Sequence, residues 1–270
     1  MNNINDKDFE SIMPTAYACL QPLLKSDIPL VKETIDFLQS KNIDCQAKIE
    51  AERSFFLESR YKLINYLLNK ENCNQFFEIA SGFLMRGSEL SKNKDNVYVE
   101  MDLPPMAKLK KEFAAPYQSS NWHIIGGNAL RPYDFCDEYF DKNKKIAVIS
   151  QGILLYLTAE EKDIVANNVK QLLQEHGGVW ASSDFTCKSF LNTKQVKEMN
   201  AITPRHHFPL FETQEQIINY LDKHGLKIKF HSHAEACDLG LMTLPKAHKI
   251  NIKTAREYLK DTTVGIVRLK

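Results

Sequence analysis

Four apolar runs in the chain end on residues able to meet a nucleoside. They close on Glu78-Ile79-Ala80-Ser81-Gly82, Glu100-Met101-Asp102, Gly126-Gly127-Asn128-Ala129 and Ser150-Gln151-Gly152, so each end offers a polar group or a glycine. A carboxylate at the second end can accept two hydrogen bonds from a ribose, as the acid about 20 residues after the glycine turn does in dinucleotide folds, and Asp102 stands 20 residues past Gly82. Asn128 after the third run can hydrogen-bond an adenine amino group, while Met101 or Ala129 packs on the ring. Acids have poor strand propensity, so Glu100 and Asp102 within one short run call for a reason. Alternation puts both on one face, and Asp102 is favoured because it alone lies at the end.

Proton transfer would fall to Tyr156 or to the adjacent His206 and His207, whose ordinary pKa lies near neutrality. A tyrosine more often packs with its hydroxyl satisfied, and paired loop histidines are commonly solvated. His231 and His233 alternate near Cys237 and Asp238 in a way that suggests a metal site. No second spaced pair completes a coordination sphere, so none is expected.

The elements that must hold these residues follow from periodicity. From about residue 6 to 70, apolar residues recur at helical spacing, as in Leu30, Ile35 and Leu38, then Phe56, Leu57, Tyr61, Ile64 and Leu68. Ser26, ahead of Asp27 and Pro29, reads as a helix start. After Asn72 the texture turns to short apolar runs over 75–80, 97–102, 122–127, 146–151 and 178–182, mostly separated by helix-length stretches. That is βαβ alternation, and runs with little apolar/polar alternation suit strands buried on both faces. The 185–212 stretch, with Pro204, Arg205, His206, His207 and Pro209, is long for a connection and reads as a lid or substrate segment. A helix over 213–224, capped by Thr213 and stopped by Gly225, precedes strands over 226–233 and 264–269. The expected fold is α/β: a seven-stranded, doubly wound, mostly parallel sheet with one antiparallel strand near the C-terminus. Residues 1–70 form a helical cap on a core spanning 71–270 in a single domain.

Lys and Arg total 35 against 34 Asp and Glu, so no long-range field draws the chain to nucleic acid or an anionic membrane. A small-molecule or peptide substrate is the expected partner. The first ten residues lack the basic and apolar regions of a signal peptide and no apolar run approaches membrane-spanning length, which points to the cytosol. Six scattered cysteines without a CxxC pair suit reduced thiols. Ala80-Ser81-Gly82 has one glycine where a dinucleotide fingerprint has three, which argues against NAD. A cofactor without phosphate, such as S-adenosylmethionine, needs close backbone approach at one point only, and Gly82 provides it.

Three motifs together resemble the leucine carboxyl methyltransferase family and its bacterial relatives, the polyketide-type O-methyltransferases. Phe77-Glu78-Ile79-Ala80-Ser81-Gly82-Phe83-Leu84-Met85-Arg86, ending in Leu90, is similar to that family's glycine motif. Val99-Glu100-Met101-Asp102-Leu103-Pro104 resembles its acidic motif, and Gln151-Gly152-Ile153-Leu154-Leu155-Tyr156-Leu157, with Thr158, Glu160 and Glu161, its motif after the fourth strand. Order and spacing match from about Arg60 to Asp184. The resemblance implies a class I methyltransferase fold with S-adenosylmethionine as cofactor. It further implies that Arg60 holds the methionine carboxylate beside Gly82, that Asp102 holds the ribose, and that Asn128 and Ala129 hold the adenine. Glu78, Glu100 and Gln151 complete the candidate set. The sequence departs from the family's pattern at Ala80 (usually glycine), Leu84 (aspartate), Asn128 (commonly aspartate) and Gln151 (commonly glutamate).

The activity this implies is methylation of an oxygen: a carboxylate, which needs no base, or a hydroxyl, which does. The alternatives are a non-catalytic interaction module that keeps the crevice, supported by the uncharged Asn128 and Gln151, and a nucleotide-dependent enzyme of another α/β class, disfavoured by the missing phosphate loop.

Overall fold

The computed structural model describes residues 10–45, 50–185, 187 and 211–270. Helices α1 (Met13–Ala18), α2 (Val31–Ser40) and α3 (Ala51–Leu68) lead into β1 (Gln75–Ile79), α4 (Arg86–Leu90), β2 (Val97–Asp102), α5 (Pro104–Ala114) and β3 (Trp122–Gly126). Then come β4 (Ile146–Ser150), α6 (Ala159–His176), β5 (Gly178–Ser182), α7 (Gln214–Lys223) and β6 (Leu226–Ser232). Three short helices, α8 (Glu235–Asp238), α9 (Leu244–Ala247) and α10 (Ile252–Leu259), precede the last strand, β7 (Thr263–Leu269).

The seven strands form one sheet in the order β3-β2-β1-β4-β5-β7-β6. β1, β2, β3, β4 and β5 pair in parallel, whereas β7 runs antiparallel to both β5 and β6. The chain thus has the expected doubly wound sheet, with β7 as its reversed strand. The strand order turns back between β1 and β4, which is where such sheets open a crevice for ligand.

Burial follows position in the sheet. Every residue of β1 and β4, at the centre, is buried, as layers of helices on both faces require. At the β6 edge Lys227 and Lys229 face solvent, and charges on an edge strand oppose pairing with another chain. Alternation divides the apolar residues between two cores. Phe76, Tyr98, Ala147 and Val179 join the helices α2, α3 and α5 on one face, in a cluster that also takes in residues of α8 to α10. Phe77, Val99, Val148 and Trp180 pack under α6 and α7 on the other. Glu58 of α3, fully buried, accepts the Thr243 and Leu244 amides at 2.8 and 2.9 Å and so caps α9 across the chain.

Local signals hold at several helix ends. Thr158 and Glu161 form a reciprocal capping box at the start of α6. The Thr213 hydroxyl accepts the Gln216 amide at 3.3 Å, and Gly225, at φ +71°, follows α7. Ser26 is a correction. No helix starts there, because Leu30 adopts φ +60° and interrupts the path, so that α2 begins at Val31. The Ser26 hydroxyl instead closes a turn by donating to the Leu23 carbonyl at 2.6 Å.

Gly87, in α4, sits where a Cβ would fall inside the Trp122 indole. That ring is buried, and its Nε1 donates to Glu100 at 2.5 Å, so it has little freedom to yield. Gly87→Ala is expected to destabilise the fold by about 2 kcal/mol through overpacking, read from the urea midpoint at unchanged m-value.

Candidate functional site

The loop after β1 turns sharply at the crevice. Ala80 and Gly82 adopt φ +52° and +55°, so Ala80 holds a left-handed conformation that costs an alanine about 1 kcal/mol relative to glycine. The turn is anchored on β2: the Ser81 amide donates to the Met101 carbonyl at 3.2 Å, and the Gly82 amide to Asp102 Oδ2 at 2.7 Å. Asp102 Oδ1 accepts the Leu103 amide at 2.8 Å. An ionised carboxylate has about four acceptor positions, so each oxygen keeps one for a ligand. Burial raises the Asp102 pKa, and the Gly82 and Leu103 amides oppose that rise.

Glu78 and Glu100, both placed at the cofactor from sequence, lie beneath this loop. They are register partners on β1 and β2 and are almost wholly buried. Glu78 accepts Arg86 Nε at 3.2 Å and the Tyr98 hydroxyl at 2.5 Å. Glu100 pairs with Lys110 Nζ and accepts Trp122 Nε1 at 2.5 Å. Lys110 also donates to Ser81 Oγ at 3.1 Å and to the Leu84 carbonyl at 3.0 Å. The two glutamates therefore support the loop from below, with both oxygens of each occupied by protein donors. The partly exposed Asp102 is the acid at the crevice.

At the end of β3, Gly127 accommodates Met101, whose Sδ would lie 2.5 Å from an added Cβ. Asn128 Oδ1 accepts the Leu130 amide at 2.9 Å, and the Ala129 carbonyl accepts the Tyr133 hydroxyl at 3.0 Å. Asn128 thus shapes its own turn. Gln151, after β4, accepts Arg86 Nη2 at its Oε1, while its Nε2 is buried with no partner among the described residues. Arg60 of α3 lies over Phe56, 5.7 Å from the ring centroid, and its Nη1 borders Gly152. The Arg60 Nε is likewise buried and without a partner among the described residues. The guanidinium thus stands at the loop after β4, the strand next to β1, while at Gly82 itself an added Cβ would meet Ala16 Cβ at 3.5 Å.

Asp184, at the end of β5, fixes the loop after β4 by accepting the amides of Gly152, Ile153 and Leu154. Burial raises its pKa against those amides and Arg60. Tyr156 is hydrogen-bonded to Thr15 of α1, and burial pushes its phenol up to about 12, so it stays protonated near neutrality and acts as a donor rather than a base. α1 also packs on the glycine loop through Tyr17 and Phe83, ring centroids 5.6 Å apart. Burial, then the charge of Asp102, push Tyr17 to about 12.

His206 and His207 fall outside the described residues. His231 Nδ1 bonds Glu235 at 3.0 Å, and His233 Nδ1 meets Ser59 Oγ at 2.8 Å, so the two imidazoles serve different partners. Among the described residues no group of three His, Cys, Asp or Glu could hold a metal ion. Sequence reasoning missed Lys110, Asp184 and Tyr17. For Lys110 a signal existed: it occupies the apolar stripe of α5 with Met106, Ala107, Phe113 and Ala114.

No protein-family model matches the sequence, and no curated protein matches it. Solved structures do resemble the fold. A DUF574 family protein from Streptomyces avermitilis superposes with a TM-score of 0.59 at 16% identity, covering 95% of this chain and 97% of that one. A protein classed as a methyltransferase from Thermobifida fusca gives 0.55 at 17% identity, with 94% of each chain covered. One classed as an O-methyltransferase from Nostoc punctiforme gives 0.52 at 14% identity over 93% of this chain and 72% of that one. These neighbours are class I methyltransferase folds, and at such identities the likeness is one of fold. The fold implied by the motifs is therefore met.

Two outcomes follow from the buried charges. Lys110→Met leaves the Glu100 carboxylate buried without its cation and is expected to cost about 3 kcal/mol or more, part of which Glu100→Gln in the same chain restores; denaturant unfolding of the wild type, the single and the double variant checks this. Burial, then Arg60, push His233 down to about 3 against a bond to the Thr263 backbone. Because the unfolded imidazole takes up a proton near pH 6.5 and the folded one does not, stability is lost as pH falls below 6.5. Between pH 6.5 and 5 the wild type should lose roughly 1.5 kcal/mol more than His233→Phe.

Proposed function

We propose that the chain is an S-adenosylmethionine-dependent methyltransferase acting on an oxygen of a small molecule or a protein terminus, with the cofactor lying across the carboxyl ends of β1 to β4. The observation that carries this reading is the buried Gln151 Nε2 at the end of β4, which meets no acceptor among the described residues, beside the Arg60 guanidinium, whose Nη1 borders Gly152. Buried donors normally have partners, so this amide calls for an acceptor from outside the chain, and a carboxylate suits the terminal nitrogens of the arginine beside it. The methyltransferase fold of the neighbours supports the same reading.

The residues present fit that cofactor. Arg60, with Gln151 beside it, would hold the methionine carboxylate. Gly82 allows close approach of the methionine portion, the two free acceptor positions of Asp102 suit a ribose diol, and Asn128 with Ala129 borders the adenine. The bound cofactor supplies an electrophilic methyl group on a sulfonium. The chain orients the acceptor in line with it and excludes water, the two contributions such a transfer needs most. The Tyr156 phenol, hydrogen-bonded to Thr15 and protonated near neutrality, cannot take the acceptor's proton. A carboxylate acceptor needs no base; a hydroxyl would need one, for which His206 and His207 are the candidates by residue type.

Calorimetry is the test. S-adenosylhomocysteine should bind in the micromolar range, roughly −8 kcal/mol, whereas NAD and ATP should give no heat. Asp102→Asn should weaken that binding at least tenfold. Silence with S-adenosylhomocysteine at millimolar concentration would remove the enzyme reading and leave the interaction module.

A further inference from the structure

Behind Arg60 lies a histidine that none of these roles uses. His233 follows β6 at the ligand end of the sheet, is fully buried, and is fixed by its own amide, which donates to the Thr262 carbonyl at 2.9 Å. Its Nδ1 is 2.8 Å from Ser59 Oγ, and the Ser59 hydroxyl donates to the Phe56 carbonyl at 2.9 Å. With its proton committed there, Ser59 can only accept from the ring. In the tautomer this contact favours, with the proton on Nδ1, Nε2 presents a lone pair. That Nε2 is buried with no partner among the described residues, as is the Nε of Arg60. The residues share a neighbour: Phe56 lies nearly parallel to the imidazole, with centroids 5.0 Å apart, and its ring centroid is 5.7 Å from the guanidinium. Phe56, Ser59 and Arg60 occupy one face of α3 at spacings of three and four. An orphaned acceptor and an orphaned donor thus stand on the same side of one helix, beside the same ring.

We infer that His233 is a positioning residue for Arg60: its Nε2 accepts the Arg60 Nε–H when the guanidinium engages a carboxylate, leaving the two terminal nitrogens to grip the carboxylate's two oxygens in parallel. This rests on the proposed role of Arg60 toward the methionine carboxylate. The geometry has a directional consequence. An arginine whose Nε is held from behind can present only its terminal edge, and that edge gives the symmetrical two-bond grip. Ser59 serves the same end by fixing the imidazole tautomer.

The experiment compares S-adenosylhomocysteine with 5′-methylthioadenosine, which keeps the adenosine and lacks the carboxylate. His233→Phe preserves the ring packing on Phe56 and removes both nitrogens. It should weaken S-adenosylhomocysteine about tenfold and leave 5′-methylthioadenosine within twofold. His233→Gln, whose side-chain oxygen can take the place of Nε2, should recover most of the lost affinity, and thermal melts of both variants report the fold. Arg60→Ala should show the same ligand selectivity, and adding His233→Phe to it should cost nothing more. Equal losses for both ligands in His233→Phe, full additivity with Arg60→Ala, or no rescue by glutamine in a folded variant would each overturn the positioning role while leaving Arg60 in place. An Arg60→Ala variant that binds S-adenosylhomocysteine as the wild type does would overturn both readings.

Discussion

Two glutamates in register on adjacent central strands set the terms for the ligand end of this molecule. Glu78 and Glu100 project from β1 and β2 into one core, where unpaired carboxylates would be very costly. Each is met by a cation from the element following its own strand, Arg86 from α4 and Lys110 from α5. Those cations have further contacts. Lys110 reaches Ser81 and Leu84 and so ties down the turn that carries Gly82, while Arg86 reaches Tyr61 and Asn65 on α3 and Gln151 after β4. Burial of two charges in mid-sheet is thereby coupled to the positions of the glycine turn, the long N-terminal helix and the β4 loop.

The same coupling accounts for two departures from the family pattern. Gln151 faces Arg86, whose charge already serves Glu78, so a neutral acceptor suffices there and a second carboxylate would compete for one cation. Ala80 keeps the positive φ that a glycine would take, with the following Ser81 held by a strand amide bond and by Lys110. The strain of a left-handed alanine is sustained because the surroundings determine the turn more strongly than the residue does.

What was legible in the sequence was local. All seven strands were legible to within about a residue, the five parallel ones because burial on both faces is written into consecutive side chains. The spacing from Gly82 to Asp102 was legible as well, and the two do meet, although through the Gly82 amide. What depended on partners from elsewhere was not. Glu78 and Glu100 read as ligand-facing acids because nothing nearby in sequence announces Arg86 or Lys110 as their cations. A lysine in an apolar stripe usually reaches out to solvent, and only the fold shows that Lys110 is enclosed. Arg60 was placed beside Gly82 by sequence offset, which could not say that its Nη1 borders Gly152 at the end of β4, the neighbouring strand.

The roof of the crevice is tied to what lies beneath it. α1 is six residues long, with no side-chain cap at either end, too short to persist on intrinsic helix stability. Its order comes from tertiary contacts: Tyr17 on Phe83, Ala16 over Gly82, the Thr15 bond to Tyr156, and the Arg53 guanidinium on the Ala18 carbonyl at 3.4 Å. Three of these four are made with the glycine turn or the loop after β4, the segments that border the crevice. Any ligand bound there changes the surroundings of the contacts that order α1. By reciprocity, the order of α1 then contributes to the free energy of ligand binding. The buried carboxylates reach the roof through the turns they anchor, and the ligand end therefore behaves as one coupled unit, with no independent set of contact residues on a rigid frame.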